Sequence, residues 1–344
     1  MQNKERIYYI DILKSISIFS VIVIHIFALG NSAKVMNITI SYFAEIFKFA
    51  VPVFLMITGS LLLNRNYQSN YSFLKKRIKR ITIPYLFWII LIILALIIPN
   101  GMTSQPEITE CIYTTFFNFP LSWYFWLMIG VYFTIPIINE FIKTDKLNST
   151  KYLVIMFVIS SILYQLLSFF KAYTYIDLTF FILPIGYLSL GYFLSGLEFK
   201  NKRNVLIISI IIFIITSIIE VLFNQDYNLN LIFANFPAGF TSLLDVSIIR
   251  IIQATAVFLF IKNLPLKKFK MKKFFTSISK SCYGIYLVHI FIYLIVFHYV
   301  PVKGTGSEIM LLFLSSSVFI FLISWIIVLI MSKIPVLSKF SGYA

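Results

Sequence analysis

Residues 75–98 read KKRIKRITIPYLFWIILIILALII, a block of cations followed without a break by an uncharged apolar run from Ile81 to Ile98. As a helix rising 1.5 Å per residue, that run covers about 27 Å, close to a hydrocarbon core of about 30 Å. A basic block abutting such a run is the sequence mark of a span anchored on the cytoplasmic face of a membrane. Working outward in both directions, similar runs recur along the whole chain. Breaks at charged residues and at Pro, Gly and Asn place spans near 7–30, 42–63, 81–99, 121–142, 152–171, 178–197, 204–223, 244–262, 281–300 and 308–331. The expected fold is therefore all-α, a polytopic integral membrane protein of about ten transmembrane helices. The whole of 1–344 reads as one transmembrane domain with no appended soluble domain. Composition agrees: a chain of 344 residues with 60% hydrophobic and 12% charged side chains lacks the polar surface to cover soluble domains.

Orientation follows from the basic residues. The loop between spans two and three carries Arg65, Lys75, Lys76, Arg77, Lys79 and Arg80, and that between eight and nine carries Lys262, Lys267, Lys268, Lys270, Lys272, Lys273 and Lys280. Lys143, Lys146 and Lys151, then Lys200, Lys202 and Arg203, fall on the same side, as do Lys4, Arg6, Lys333 and Lys339 at the termini. Only Lys34, Lys171 and Lys303 fall opposite, so both termini are expected in the cytoplasm. This distribution also explains the net charge of +16 without nucleic acid as a partner. The basic tip and first apolar run are expected to be the first span rather than a cleaved signal peptide, because Asp11 and Lys14 interrupt the run and no small-residue cleavage pattern follows. Outer loops near 100–120 and 224–243 are long enough to shape a vestibule. Cys111 and Cys282 fall on opposite faces and cannot pair. No internal repeat is visible, which counts against transporters built from repeated halves.

Ionisable groups within spans are costly, and each is a candidate for function. At 100° per residue, Lys14 and His25 lie about 20° apart around the first helix and Asp11 and His25 about 40°, so the three share one stripe. His25 lies about 16 Å beyond Lys14 along the axis. A buried neutral imidazole there suits a general base; it also suits a hydrogen bond to a neighbouring helix, and Asp11 with Lys14 suits an interfacial ion pair. Arg77 and Arg80, three residues apart, present two guanidiniums on one face, a geometry for phosphates of a nucleotide-bearing donor or for lipid headgroups. Tyr286 and His289 are one turn apart on the ninth span, as cavity-lining or oxyanion-stabilising candidates or as packing residues. Towards the outer side lie Glu45, Lys48, Trp123, Tyr124, Asp177, Glu220, Arg250 and Glu308, where carboxylates beside aromatics suit a carbohydrate and aromatics alone suit the interfacial belt. His298 reads as structural.

The stretch Arg6-Ile7-Tyr8-Tyr9-Ile10-Asp11-Ile12-Leu13-Lys14 with His25, then Val51-Pro52-Val53-Phe54 with Thr58-Gly59, Arg77/Arg80 before Pro84-Tyr85, Trp123-Tyr124 with Pro136, and Ser281-Cys282-Tyr283-Gly284-Ile285-Tyr286-Leu287-Val288-His289 resembles, in that order, the acyltransferase-3 family of bacterial membrane O-acyltransferases. The resemblance runs from about residue 6 to 330. It implies a ten-helix membrane fold, acyl-CoA as cytoplasmic co-substrate, and a cell-envelope glycan as acceptor. It further implies His25 as the catalytic histidine and Arg77 and Arg80 as the donor-associated arginines. Lys14 stands where many members carry arginine, which keeps the charge but loses the bidentate fork.

The function expected is O-acyl transfer, most simply acetyl transfer, from acyl-CoA to a glycan hydroxyl in a bacterial cytoplasmic membrane. His25 and Asp11 are the expected catalytic residues, and Lys14, Arg77 and Arg80 the donor-binding ones. Glu45, Lys48, Trp123, Tyr124, Arg250 and Glu308 are expected on the acceptor side. No metal and no permanently bound cofactor is expected. Teichoic acid, peptidoglycan, capsule and exopolysaccharide are the acceptor candidates. The rival readings are a proton-coupled transporter or polysaccharide exporter and a scaffold in an envelope-polymer assembly.

Overall fold

The computed structural model describes residues 6–32, 43–169, 179–226, 247–266, 270–300 and 302–344. Lys34, Lys171, Asp177, Lys267, Lys268 and most of the expected outer loop at 224–243 lie outside the described residues. Within them the chain is all helical, with no strand. In order run α1 (Tyr8–Ser32), a 3-10 turn (Ala44–Phe47) leading into α2 (Ala50–Leu62), α3 (Asn70–Ile97), α4 (Gln105–Tyr113), α5 (Ser122–Thr144), α6 (Lys146–Phe169), α7 (Thr179–Gly196), α8 (Lys202–Asp226), α9 (Ile248–Lys262), α10 (Lys272–Tyr299) and α11 (Gly306–Lys333).

Among the described residues, eight helices are long and apolar enough to cross a membrane: α1, α2 with its leading turn, α3, α5, α6, α8, α10 and α11. The expected spans at 178–197 and 244–262 fall on α7 and α9, of 18 and 15 residues. One element was not expected: the loop at 100–120, expected on the outer side, holds the short helix α4. Its start is chemically marked, since the Ser104 hydroxyl caps Glu107 N–H and Pro106 occupies the first turn.

The outer surface of the bundle is apolar, the inverse of a soluble protein. On α8, Ile207, Ile208, Ile211, Ile214, Ile215 and Ile218 are exposed, as are Ile155, Ile159, Ile162 and Leu166 on α6. Lipid is the medium such faces fit. α1 is the opposite: every side chain from Ser20 to Phe27 is buried, because the helix runs through the centre against α2, α9, α10 and α11. That position is why a polar residue on α1, such as His25, meets other protein groups rather than lipid.

Close helix approach is secured by glycine. A Cβ on Gly59 of α2 would lie 1.9 Å from Leu188 O of α7, and one on Gly191 of α7 would lie 2.0 Å from Met56 O of α2. Two backbones in direct contact are the small-residue packing by which membrane helices associate without a hydrophobic driving force. Gly59→Ala or Gly191→Ala must therefore separate α2 from α7. Overpacking of this kind costs about 1–3 kcal/mol. The expected outcome is a lower apparent Tm in detergent for each variant, while Gly130→Ala, with open space around its Cα, leaves Tm unchanged.

Candidate active site

A cavity of about 210 Å³ opens between α1, α2, α3, α5 and α10. The α1 residues that line it, Lys14, Ile18, Val21, Ile24 and His25, form one helical stripe, so the cavity follows α1 for about 16 Å from an ammonium to an imidazole. Arg77 and Arg80 of α3 and Lys280 of α10 also line it. Four cations thus meet in one space that no Asp or Glu side chain lines. The rest of the wall is mostly aromatic and aliphatic, including Phe54, Trp123, Tyr124, Tyr132, Tyr283 and Tyr286, with Thr58, Ser279, Cys282, Gly342 and Ala344 completing it.

His25 and His289 are buried and paired. His25 Nδ1 lies 2.8 Å from His289 Nε2, the rings are nearly parallel at 14° with centroids 5.1 Å apart, and His289 Nδ1 lies 3.2 Å from Ile285 O. His289 does not itself line the cavity; it lies against two residues that do, His25 and Tyr286. Its expected role as a cavity-lining group is replaced by this contact. Tyr286 lines the cavity, but its hydroxyl donates to Leu121 O at 2.8 Å, which takes up the proton an oxyanion donor would need. Trp123 and Tyr124 extend the aromatic wall, with Tyr124 against Tyr286 at 5.2 Å and Tyr286 against His289 at 5.7 Å between ring centroids.

The remaining expected site residues lie elsewhere, each for a local reason. Asp11 is about 21 Å from His25 along α1 and does not line the cavity. Its carboxylate accepts from Arg6 at 2.7 and 3.0 Å and from Thr276 Oγ1 at 3.1 Å, and the hydrogen bonding to Asp11 holds the Arg6 guanidinium above its ordinary pKa. Glu45, Lys48 and Arg250 form a separate buried charge network with Glu220. Lys48 pairs with Glu45 at 2.5 Å, and Arg250 pairs with Glu45 at 3.2 Å and with Glu220 at 2.5 Å. Glu308 is exposed and closes a capping box with Thr305 at the start of α11. The pattern Thr305-x-x-Glu308 carried that signal in the sequence.

Lys280, Cys282 and Tyr283 are site-lining residues that the sequence reading did not assign a role. Lys280 counted there only as an orienting charge. The signal available was helical spacing: Ser279, Tyr283 and Tyr286 fall at i, i+4 and i+7, one face of α10. Both cysteines are free thiols, with Cys282 buried beside Lys14, whose carbonyl its Sγ approaches at 3.7 Å.

Residues 7–329 match the family model described as an acyltransferase domain, nearly the whole chain. The chain belongs to the acyltransferase-3 family. No curated protein and no solved structure matches it. Membership fits a membrane acyltransferase, and the multi-pass apolar bundle is the setting such an enzyme requires. One cavity of this acyltransferase-3 protein is thus lined both by the buried imidazole of His25 and by the cations Lys14, Arg77, Arg80 and Lys280.

Proposed function

We propose that this protein is an O-acyltransferase of a bacterial cytoplasmic membrane. It spans the bilayer ten times with both termini in the cytoplasm, and moves an acyl group, acetyl in the simplest case, from cytoplasmic acyl-CoA to a hydroxyl of a cell-envelope or extracellular glycan. The observation that carries this reading is the length of the cavity between Lys14 and His25. About thirteen bonds link the pyrophosphate of coenzyme A to its sulfur, so an extended pantetheine arm spans about 14–16 Å at the rise per bond of an extended peptide. That matches the axial separation of about 16 Å between the ammonium-bearing and imidazole-bearing positions on α1. With phosphates on Arg77, Arg80, Lys14 and Lys280, the thioester arrives beside His25, and the aliphatic side chains between them suit the arm.

In the reaction, His25 takes the proton of an acceptor hydroxyl as its oxygen attacks the thioester carbonyl. A tetrahedral oxyanion forms, the C–S bond breaks, and the departing thiolate recovers the proton from the His25 imidazolium. An ester and free coenzyme A result. The cation cluster acts on binding, so its loss separates from loss of the base. In donor turnover by purified protein in nanodiscs, Arg77→Gln and Arg80→Gln are each expected to raise the KM for acetyl-CoA about 10-fold or more, the worth of a charge-assisted hydrogen bond. kcat changes little. A wild-type protein that neither binds nor consumes acetyl-CoA, with membrane glycan supplied, would overturn the proposal in favour of transport.

A further inference from the structure

We propose that His289 is a positioning residue that fixes the tautomer of His25, so that the nitrogen facing the cavity is the basic one. The inference rests on the reading of His25 as the base, and it assigns the device that makes it one. The chain of hydrogen bonds determines where the protons lie. Ile285 O can only accept, so His289 Nδ1, 3.2 Å away, carries a hydrogen. A neutral imidazole has one N–H, so His289 Nε2 holds a lone pair. That lone pair faces His25 Nδ1 at 2.8 Å, and His25 Nδ1 must be the donor. His25 Nε2 is then unprotonated. His25 lines the cavity and makes no other hydrogen bond among the described residues, so this basic nitrogen is the one available to an acceptor hydroxyl.

An unrestrained imidazole distributes its proton between two nitrogens, and the fraction with Nε2–H is useless as a base towards the cavity. Orienting partners of catalytic histidines are usually carboxylates. Here the partner is a second, neutral imidazole, and no Asp or Glu side chain lines the cavity to take its place. The direction is anchored at the backbone of α10 itself, since Ile285 O lies one turn before His289 and cannot reverse its role. The pair is also buried, with His25 at 5% and His289 at 1% of full exposure, so water does not compete for either nitrogen. A neutral partner stabilises the imidazolium less than a carboxylate does. The proton is therefore held briefly and passed on to the leaving thiolate.

The test compares two substitutions. His289→Gln places an amide oxygen able to accept from His25 Nδ1–H; His289→Leu fills the space with no acceptor. For His289→Leu, kcat is expected to fall about 10- to 100-fold, the usual effect of losing an orienting partner, with the acetyl-CoA KM unchanged. His289→Gln recovers most of that loss. Histidine-selective ¹⁵N NMR in nanodiscs gives a readout independent of turnover, with the His25 signals assigned by their loss in His25→Asn. Wild type and His289→Gln are expected to show His25 protonated at Nδ1 alone, whereas His289→Leu shows a mixture of tautomers. An Nε2-protonated His25 in wild type, or full kcat in a folded His289→Leu, overturns the assignment. The NMR result stands apart from the acyltransfer reading: an Nδ1 tautomer without donor turnover refutes the reaction and leaves the hydrogen-bond assignment in place.

Discussion

His25→Asn is expected to bind acetyl-CoA with unchanged affinity and to turn it over about 10²–10⁴-fold more slowly, the range general-base catalysis contributes. Asparagine is the informative substitution because its amide N–H₂ occupies the place of Nδ1. It can still donate to His289 Nε2, so the buried pair keeps its hydrogen bond and the fold its packing. What disappears is the second ring nitrogen, the lone pair facing the cavity. His25→Ala removes both, and is expected to show the same catalytic defect together with a lower apparent Tm from the orphaned His289. Release of free thiol from acetyl-CoA measures the rate, and equilibrium binding of labelled donor measures the cation end of the cavity separately. Turnover near wild type in His25→Asn would remove the imidazole from the chemistry, and with it the reason for the length match between arm and cavity.

The two ends of that cavity differ in how far the sequence disclosed them. Lys14 and His25 were legible because eleven residues bring an α-helix back to nearly the same face, a property of one helix alone. Arg77 and Arg80 were legible as charge at the edge of an apolar run. That the two features share a space depends on α1 packing beside α3 and α10, which local periodicity does not encode. The His25–His289 contact joins positions 264 residues apart; the sequence offered His289 as a candidate for the cavity but not as the hydrogen-bonding partner of His25. Asp11 shares the stripe of His25, but fourteen residues put it about 21 Å away along the axis, and its carboxylate is taken up by Arg6 and Thr276. Likewise the helix count is strongest where runs are long and uncharged. It is weakest at α9, whose 15 residues include the buried Arg250.

Arg250 shows why a polar residue in a span need not be a site. Its side chain is 1% exposed, and its guanidinium donates to Glu45 O at 2.8 Å and Gln253 Oε1 at 2.9 Å besides pairing with Glu45 and Glu220. Gln253 in turn donates to Ser217 on α8. Two cations, Lys48 and Arg250, face two carboxylates, Glu45 and Glu220, so the network is neutral as a unit and ties the turn before α2 to α8 and α9. Removing one member leaves a buried net charge, which costs about 3–5 kcal/mol. Arg250→Met is therefore expected to lower the apparent Tm more than either glycine variant, and to reduce the yield of folded protein. Arg250→Met combined with Glu220→Gln restores neutrality and is expected to recover most of the stability. If the double variant were instead as unstable as the sum of the single ones, the charges would act independently. Turnover per folded molecule discriminates function from fold: with Arg250 outside the cavity, the rescued double variant is expected to transfer acyl groups at close to the wild-type rate.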